Sequence, residues 1–150
     1  MDQQSKDLEK IVKDLFTHLD FKADFQIKPE GEVLVINLKT QEPGILIGYH
    51  GQTLAAFQQI ITLMAFKKFD KWIKILVDVE DYREKRKESL EQMTQGVVER
   101  VKSSGQPQPL PPMSSFERRI IHMFLADQPE VESVSEGEGE QRHIIVKPKA

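Results

Sequence analysis

Two short stretches carry residue types that can do chemistry together. In Ile47–Leu54, read IGYHGQTL, Gly48 and Gly51 bracket Tyr49 and His50, with branched apolar residues before them and an amphipathic segment after. That is the pattern of a G-x-x-G turn between two helices. Glycine permits tight turning and close backbone approach, and a following helix offers free N–H groups and a positive dipole end to a phosphate. Ile45, Ile47 and Leu54 are then candidates for an apolar floor under bases. Tyr49 is a candidate stacker, a contact worth about 1–3 kcal/mol per base. His50 is a weaker phosphate partner than Lys or Arg.

The second stretch is Arg118-Arg119-Ile120-Ile121-His122. On a helix Arg118 and His122, four apart, share a face. Ser115 and Arg119 flank them, and Phe116, Ile120, Ile121 and Phe124 occupy much of the opposite arc. Arginine supplies planar, multi-donor phosphate contact and can stack on bases; histidine adds a hydrogen bond or a stacking surface. Arg142 and Lys147, expected on the last strand, extend this surface if they face the same way. Taken singly, each motif reads more readily as an ordinary turn or a solvated face. Their order along one chain, separated by one long helix, points to RNA binding.

The elements that must position these residues follow from periodicity. Leu8, Ile11, Val12, Leu15, Phe16 and Leu19 recur at helical spacing over residues 3–19. Residues 24–29 and 32–39 read as strands around Pro29-Glu30-Gly31, the second almost continuously apolar and so central. Pro43-Gly44 breaks that pattern, Ile45–Ile47 make a helical turn, and a longer helix runs from Gly51 to about Phe66. Its stripe is Leu54, Phe57, Ile61 and Met64, widened by Ile60 and Leu63. Trp72–Val79 is a third strand. The order is α-β-β-α-α-β.

A second unit begins near Glu80, with Asp81 as N-cap and Glu84 three residues on. Leu90, Met93, Val97 and Val101 line a long helix that stops at Gly105. Four of the eight prolines fall in Gln106–Pro112, an extended segment with an edge strand through Leu110. Ser114 and Glu117 form a capping box for the next helix. Val131–Ser135 and His143–Val146 are strands around a glutamate-rich turn. The domains expected are 1–80 and 81–150.

Composition narrows the function classes. The chain has 150 residues, 39% hydrophobic, and no cysteine. Disulfide scaffolds, thiol catalysis and cysteine-bound zinc are excluded, and a cytoplasmic setting is expected. No apolar run approaches the roughly 18 residues of a membrane span. A net charge of −3 requires any nucleic-acid affinity to come from local patches. Such patches exist at Lys67, Lys68, Lys71 and Lys74, at Arg83, Lys85, Arg86 and Lys87, and at Arg118 and Arg119.

The α-β-β-α-α-β unit with IGYHG resembles a type II KH domain, an α+β fold with a three-stranded sheet and helices on one face. PPMSSFERRIIH after a long helix resembles the small α+β R-three-H domain, named for its Arg and His. The two in this order resemble the bacterial Jag-like RNA-binding proteins, over roughly residues 5–148. The loop's two variable positions, often basic in KH domains, are Tyr49 and His50 here. Many family members carry a further N-terminal domain, and roles resting on it are not carried over. The resemblance implies an RNA chaperone or post-transcriptional regulator linked to cell-envelope growth, with a small stand-alone KH protein and a membrane protein insertase as partners. A second reading is a protein-interaction adaptor at the insertase with little RNA affinity of its own. Enzymatic activity is not expected. The histidines His18, His50, His122 and His143 sit in unrelated segments without metal-ligand spacing, and Gly48–Gly51 lacks the Lys-Ser/Thr of a nucleotide P-loop. No catalytic residue, metal or cofactor is assigned.

Overall fold

The computed structural model describes residues 2–150. The chain divides into two compact units, Met1–Arg83 and Glu84–Ala150.

The first unit opens with α1 (Gln3–His18), capped by the Asp2 carboxylate, which accepts from Ser5 N at 2.8 Å. Then come β1 (Asp24–Glu30), β2 (Val33–Lys39), α2 (Pro43–Ile47), a single 3₁₀ turn (Tyr49–Gly51), α3 (Gln52–Phe69) and β3 (Lys74–Val79). The central strand β2 runs antiparallel to β1 and parallel to β3. A parallel pair cannot be joined by a tight turn, so the chain crosses over through α2 and α3 and places the glycine turn inside the crossover. The register sets Ile27, Ile36 and Val77 in one row and Phe25, Leu38 and Val79 in the next. These rows face Leu8, Val12, Phe16, Leu54, Ile61 and Ala65 from the helices, which makes the core one-sided.

Three details differ from the periodicity reading. Pro43 does not break the pattern but starts α2, where its missing N–H costs nothing. The buried line of α3 is Leu54, Ile61 and Ala65, whereas Ile60 and Leu63 are 47% and 60% exposed. β3 begins at Lys74 rather than Trp72, and the exposed Trp72 ring stacks on Phe66 with centroids 4.2 Å apart.

The second unit is built on α4 (Tyr82–Ser104), whose residues from Leu90 onward bury Leu90, Thr94, Val97, Val98 and Val101. Gly105, at φ +67°, ends it and donates to Val101 O at 2.8 Å. Then follow β4 (Gln108–Pro109), α5 (Ser115–Ala126), β5 (Val131–Glu136) and β6 (His143–Pro148), in sheet order β4-β6-β5. The proline-rich segment lies on the sheet edge, the place where a missing ladder donor is tolerated. Leu110 N–H continues the pairing to Ile144 O at 2.8 Å. Ile121 and Leu125 of α5 close the core over Val131, Ile144 and Val146.

Both expected helix caps are modified. Asp81 is left-handed at φ +60° rather than extended as an N-cap is. Asp78 Oδ1 accepts from Arg83 N at 3.2 Å in its place. Ser114 accepts from Glu117 N at 3.2 Å, but the Glu117 carboxylate turns to Arg86 Nε at 2.7 Å, so only half of the capping box forms.

Candidate nucleic-acid interface

Gly48 lies at φ 69°, ψ −170°, a region essentially closed to other residues. A Cβ there would fall 2.0 Å from Thr53 Oγ1 and 2.7 Å from Thr53 Cβ. Gly51 is left-handed at φ +81°, and a Cβ would meet the Tyr82 ring at 2.9 Å. His50 between them is also left-handed. The exposed Tyr49 ring lies on the His50 imidazole, centroids 3.9 Å apart. The loop thus presents a two-ring stack, not a flexible pair of side chains. α3 starts behind it with no side-chain cap, the arrangement that suits an anion at a helix N-terminus.

The apolar floor is narrower than expected. Ile45 is 58% exposed and Ile47 is half-buried against the core. Leu54 is 1% exposed and lies wholly in the core, out of reach of any base. Its helical position one turn past Gly51 points it at the sheet.

On α5, Ser115, Arg118, Arg119 and His122 share one face, as expected from their spacing. Ser115 and Arg119 are exposed; Arg118 and His122 are half-buried and engaged. Arg118 Nη1 donates to Met113 O at 2.7 Å, and His122 Nδ1 lies 2.6 Å from Ser133 Oγ. Phe116 is 61% exposed and does not join the packed arc; Glu117 occupies that place, 4% exposed. Arg142 precedes β6 rather than lying on it, and its Nη1 donates to Gly137 O at 2.8 Å. Its carbonyl accepts from Met113 N at 3.2 Å, so the Met113 backbone, through its N–H and its C=O, links Arg142 to Arg118. Lys147 is directed to Glu136 across the strand pair at 3.9 Å. Ser133 and Met113 were missed in the sequence because their role depends on the fold: one lies across the sheet and the other acts through its backbone.

Burial, and then the nearby Arg118 charge, push the His122 pKa below its ordinary value. His122 is therefore neutral at neutral pH and acts by hydrogen bonding or stacking. The unfolded chain takes up a proton there at a higher pH than the folded one, so the folded unit is penalised as pH falls below about 6.5. We expect stability against urea to decline from pH 7 to pH 5, with a smaller decline in His122→Gln. Parallel curves for the two proteins would refute this assignment.

A mixed three-stranded sheet crossed by a glycine-turn helix pair defines a KH domain, and the helix-and-sheet unit bearing Arg118 and His122 defines an R-three-H domain. Comparison with known families agrees: residues 5–79 match the KhpA/KhpB KH domain and residues 88–148 match the R-three-H domain. The chain belongs to the Jag-like family, in which a KH domain is followed by an R-three-H domain. It is 36% identical over 148 residues to a Clostridium symbiosum protein named RNA-binding protein KhpB, covering 97% of this chain and 66% of that protein. Proteins of the same name from Lactiplantibacillus plantarum and Bacillus subtilis are each 32% identical, over 91% and 85% of this chain. The chain spans 41% and 62% of those two relatives, less than two thirds of the length of each of the three.

Proposed function

We propose that this chain binds single-stranded RNA on two platforms, the Gly48–Gly51 loop and the Arg118–His122 face of α5. The observation that carries the reading is the uncapped start of α3 behind two glycines that leave no room for a side chain. Phosphate is expected at that helix end, with Tyr49 offering its outer face to a base and Arg118, Arg119 and His122 giving the second site. Two weak sites on one chain gain from effective concentration. The role that fits is an RNA chaperone or post-transcriptional regulator linked to cell-envelope growth, working in the cytoplasm without catalysis. A small stand-alone KH protein and a membrane protein insertase are the partners proposed with it. Among the described residues no helix is long and apolar enough to cross a membrane.

The test is fluorescence anisotropy of a labelled single-stranded RNA at two salt concentrations. Tyr49→Asp/His50→Asp and Arg118→Ala/His122→Ala are each expected to weaken binding about tenfold, or ~1.4 kcal/mol, in proteins that remain folded. Wild-type binding should fall with salt as phosphate contacts are screened. No wild-type binding to any of several RNAs would overturn the reading.

The engagement of Arg118 and His122 within the chain, together with exposed Phe116 and Met123 on α5, favours the adaptor as the second reading. Partners that survive RNase treatment in a pull-down would support it.

A further inference from the structure

β3 is an edge strand, and its outward peptide groups face the crossover that carries the glycine loop. At Val77 these groups are neither free nor paired with another strand. Val77 N–H donates to Gln58 Oε1 at 3.0 Å, Arg83 Nη2 donates to the same oxygen at 2.9 Å, and Arg83 Nε donates to Val77 O at 2.9 Å. The three groups close a ring. Gln58 comes from α3, the helix that the loop starts, and Arg83 follows Tyr82, whose ring abuts Gly51. The ring thus belongs to the same side of the unit as the loop.

The chemistry of this ring is that of a paired nucleobase. A strand residue whose N–H and C=O point the same way offers one donor and one acceptor side by side. Adenine and cytosine present a ring-nitrogen acceptor beside an amino donor, uracil and guanine a ring N–H donor beside a carbonyl acceptor, so a strand edge of fixed polarity tells one pair of bases from the other. Gln58 and Arg83 supply that same acceptor and donor from within the chain. The arrangement is also an uneconomical way to hold a cation. The Arg83 guanidinium is half-buried with its hydrogen bonds on two neutral oxygens; the Asp78 carboxylate takes the Arg83 backbone N–H and attracts the charge, but burial outweighs that attraction and lowers the pKa. A half-buried charge gains little from neutral acceptors compared with a paired carboxylate.

We infer that Gln58 and Arg83 are the specificity-determining residues of the first unit: they occupy the strand edge at Val77 that would otherwise read a base. This rests on the reading of the unit as an RNA binder. With the edge closed, contact falls to the loop, to phosphate and to stacking, which are tolerant of sequence. Opening the edge exposes a donor–acceptor pair and creates base discrimination.

The experiment is a competition anisotropy assay with single-stranded A8, C8 and U8 on the full chain. Wild type is compared with Gln58→Leu/Arg83→Met, Arg83→Lys and Gln58→Glu. Wild type should bind the three within about threefold of one another. The double variant should spread them by about tenfold or more, as hydrogen-bond readout of a base edge does. Arg83→Lys lacks the fork that reaches two acceptors and should spread them as well. Gln58→Glu keeps an acceptor for both donors and should retain the wild-type ratios. Loss of Arg83's charge alone would lower all three affinities by one factor, leaving the ratios unchanged. A purely structural role would lower the melting temperature with the same ratios. Either result overturns the inference while leaving RNA binding intact; failure of wild type to bind any RNA would instead overturn the reading on which it rests.

Discussion

Gly48→Ala should destabilise the first unit by about 3 kcal/mol, the upper end for a non-glycine residue forced into this backbone region. Two causes act together. The φ 69°, ψ −170° conformation is strained for any L side chain, and the new methyl would overlap Thr53 at its Oγ1, its Cβ and its backbone N. Thr53→Ala in the same chain removes only the first of those overlaps, so it should restore only part of the loss. Gly44→Ala is the control: its Cβ would meet nothing within 4 Å, and it sits in α2. There the change should be neutral or stabilising by up to about 1 kcal/mol, the helix preference for alanine over glycine. Urea titration of the three variants measures this directly. Equal stabilities for Gly48→Ala and Gly44→Ala would show that the loop relaxes and that its glycines are not structurally required. RNA affinity should follow the same order, since a loop that shifts to admit a methyl also moves the start of α3.

The contrast between those two glycines shows what was legible in the sequence. Spacing alone separates Gly48 and Gly51 from Gly44, because a G-x-x-G turn is local. The α-β-β-α-α-β order and the shared face of Arg118 and His122 are local in the same sense. Features set by distant segments were not legible. Leu54 and Ile45 are both branched apolar residues beside the loop, yet one is core and the other surface; the helix phase fixed by the turn decides which. Ile60 and Leu63 extend a hydrophobic stripe wider than the sheet beneath can cover. The ring at Val77 joins residues 19 and 25 positions apart. No periodicity signals a glutamine that faces a strand edge. Arg142 had to be placed before β6, at the turn, to reveal that its guanidinium holds the Gly137 carbonyl.

Glu117 carries the same lesson into energetics, since its helix-start motif promised only a cap. The fold buries it, pairs it with Arg86 at 2.7 Å, and leaves Oε2 buried without a hydrogen-bond partner. Arg86→Met should therefore cost the second unit about 3–5 kcal/mol, the range for removing one member of a buried ion pair. What is lost is chiefly the compensation for a carboxylate already short of one partner; the attraction itself was largely spent on desolvation. It follows that Arg86→Met/Glu117→Leu should be far milder than Arg86→Met alone, because the second change removes the stranded charge and fills its space with apolar atoms. Denaturant midpoints of the two single variants and the double variant give the coupling. A double variant as unstable as the sum of the singles would mean that the residues act independently, and that the cost lies in side-chain packing rather than in an orphaned charge. Because Ser114 still accepts from the backbone N–H of residue 117, at 3.2 Å in the native chain, whatever side chain stands there, the cap should survive and α5 should remain helical. Arg118 and His122 would then keep their common face, and in a unit that is still folded RNA affinity should change much less than stability.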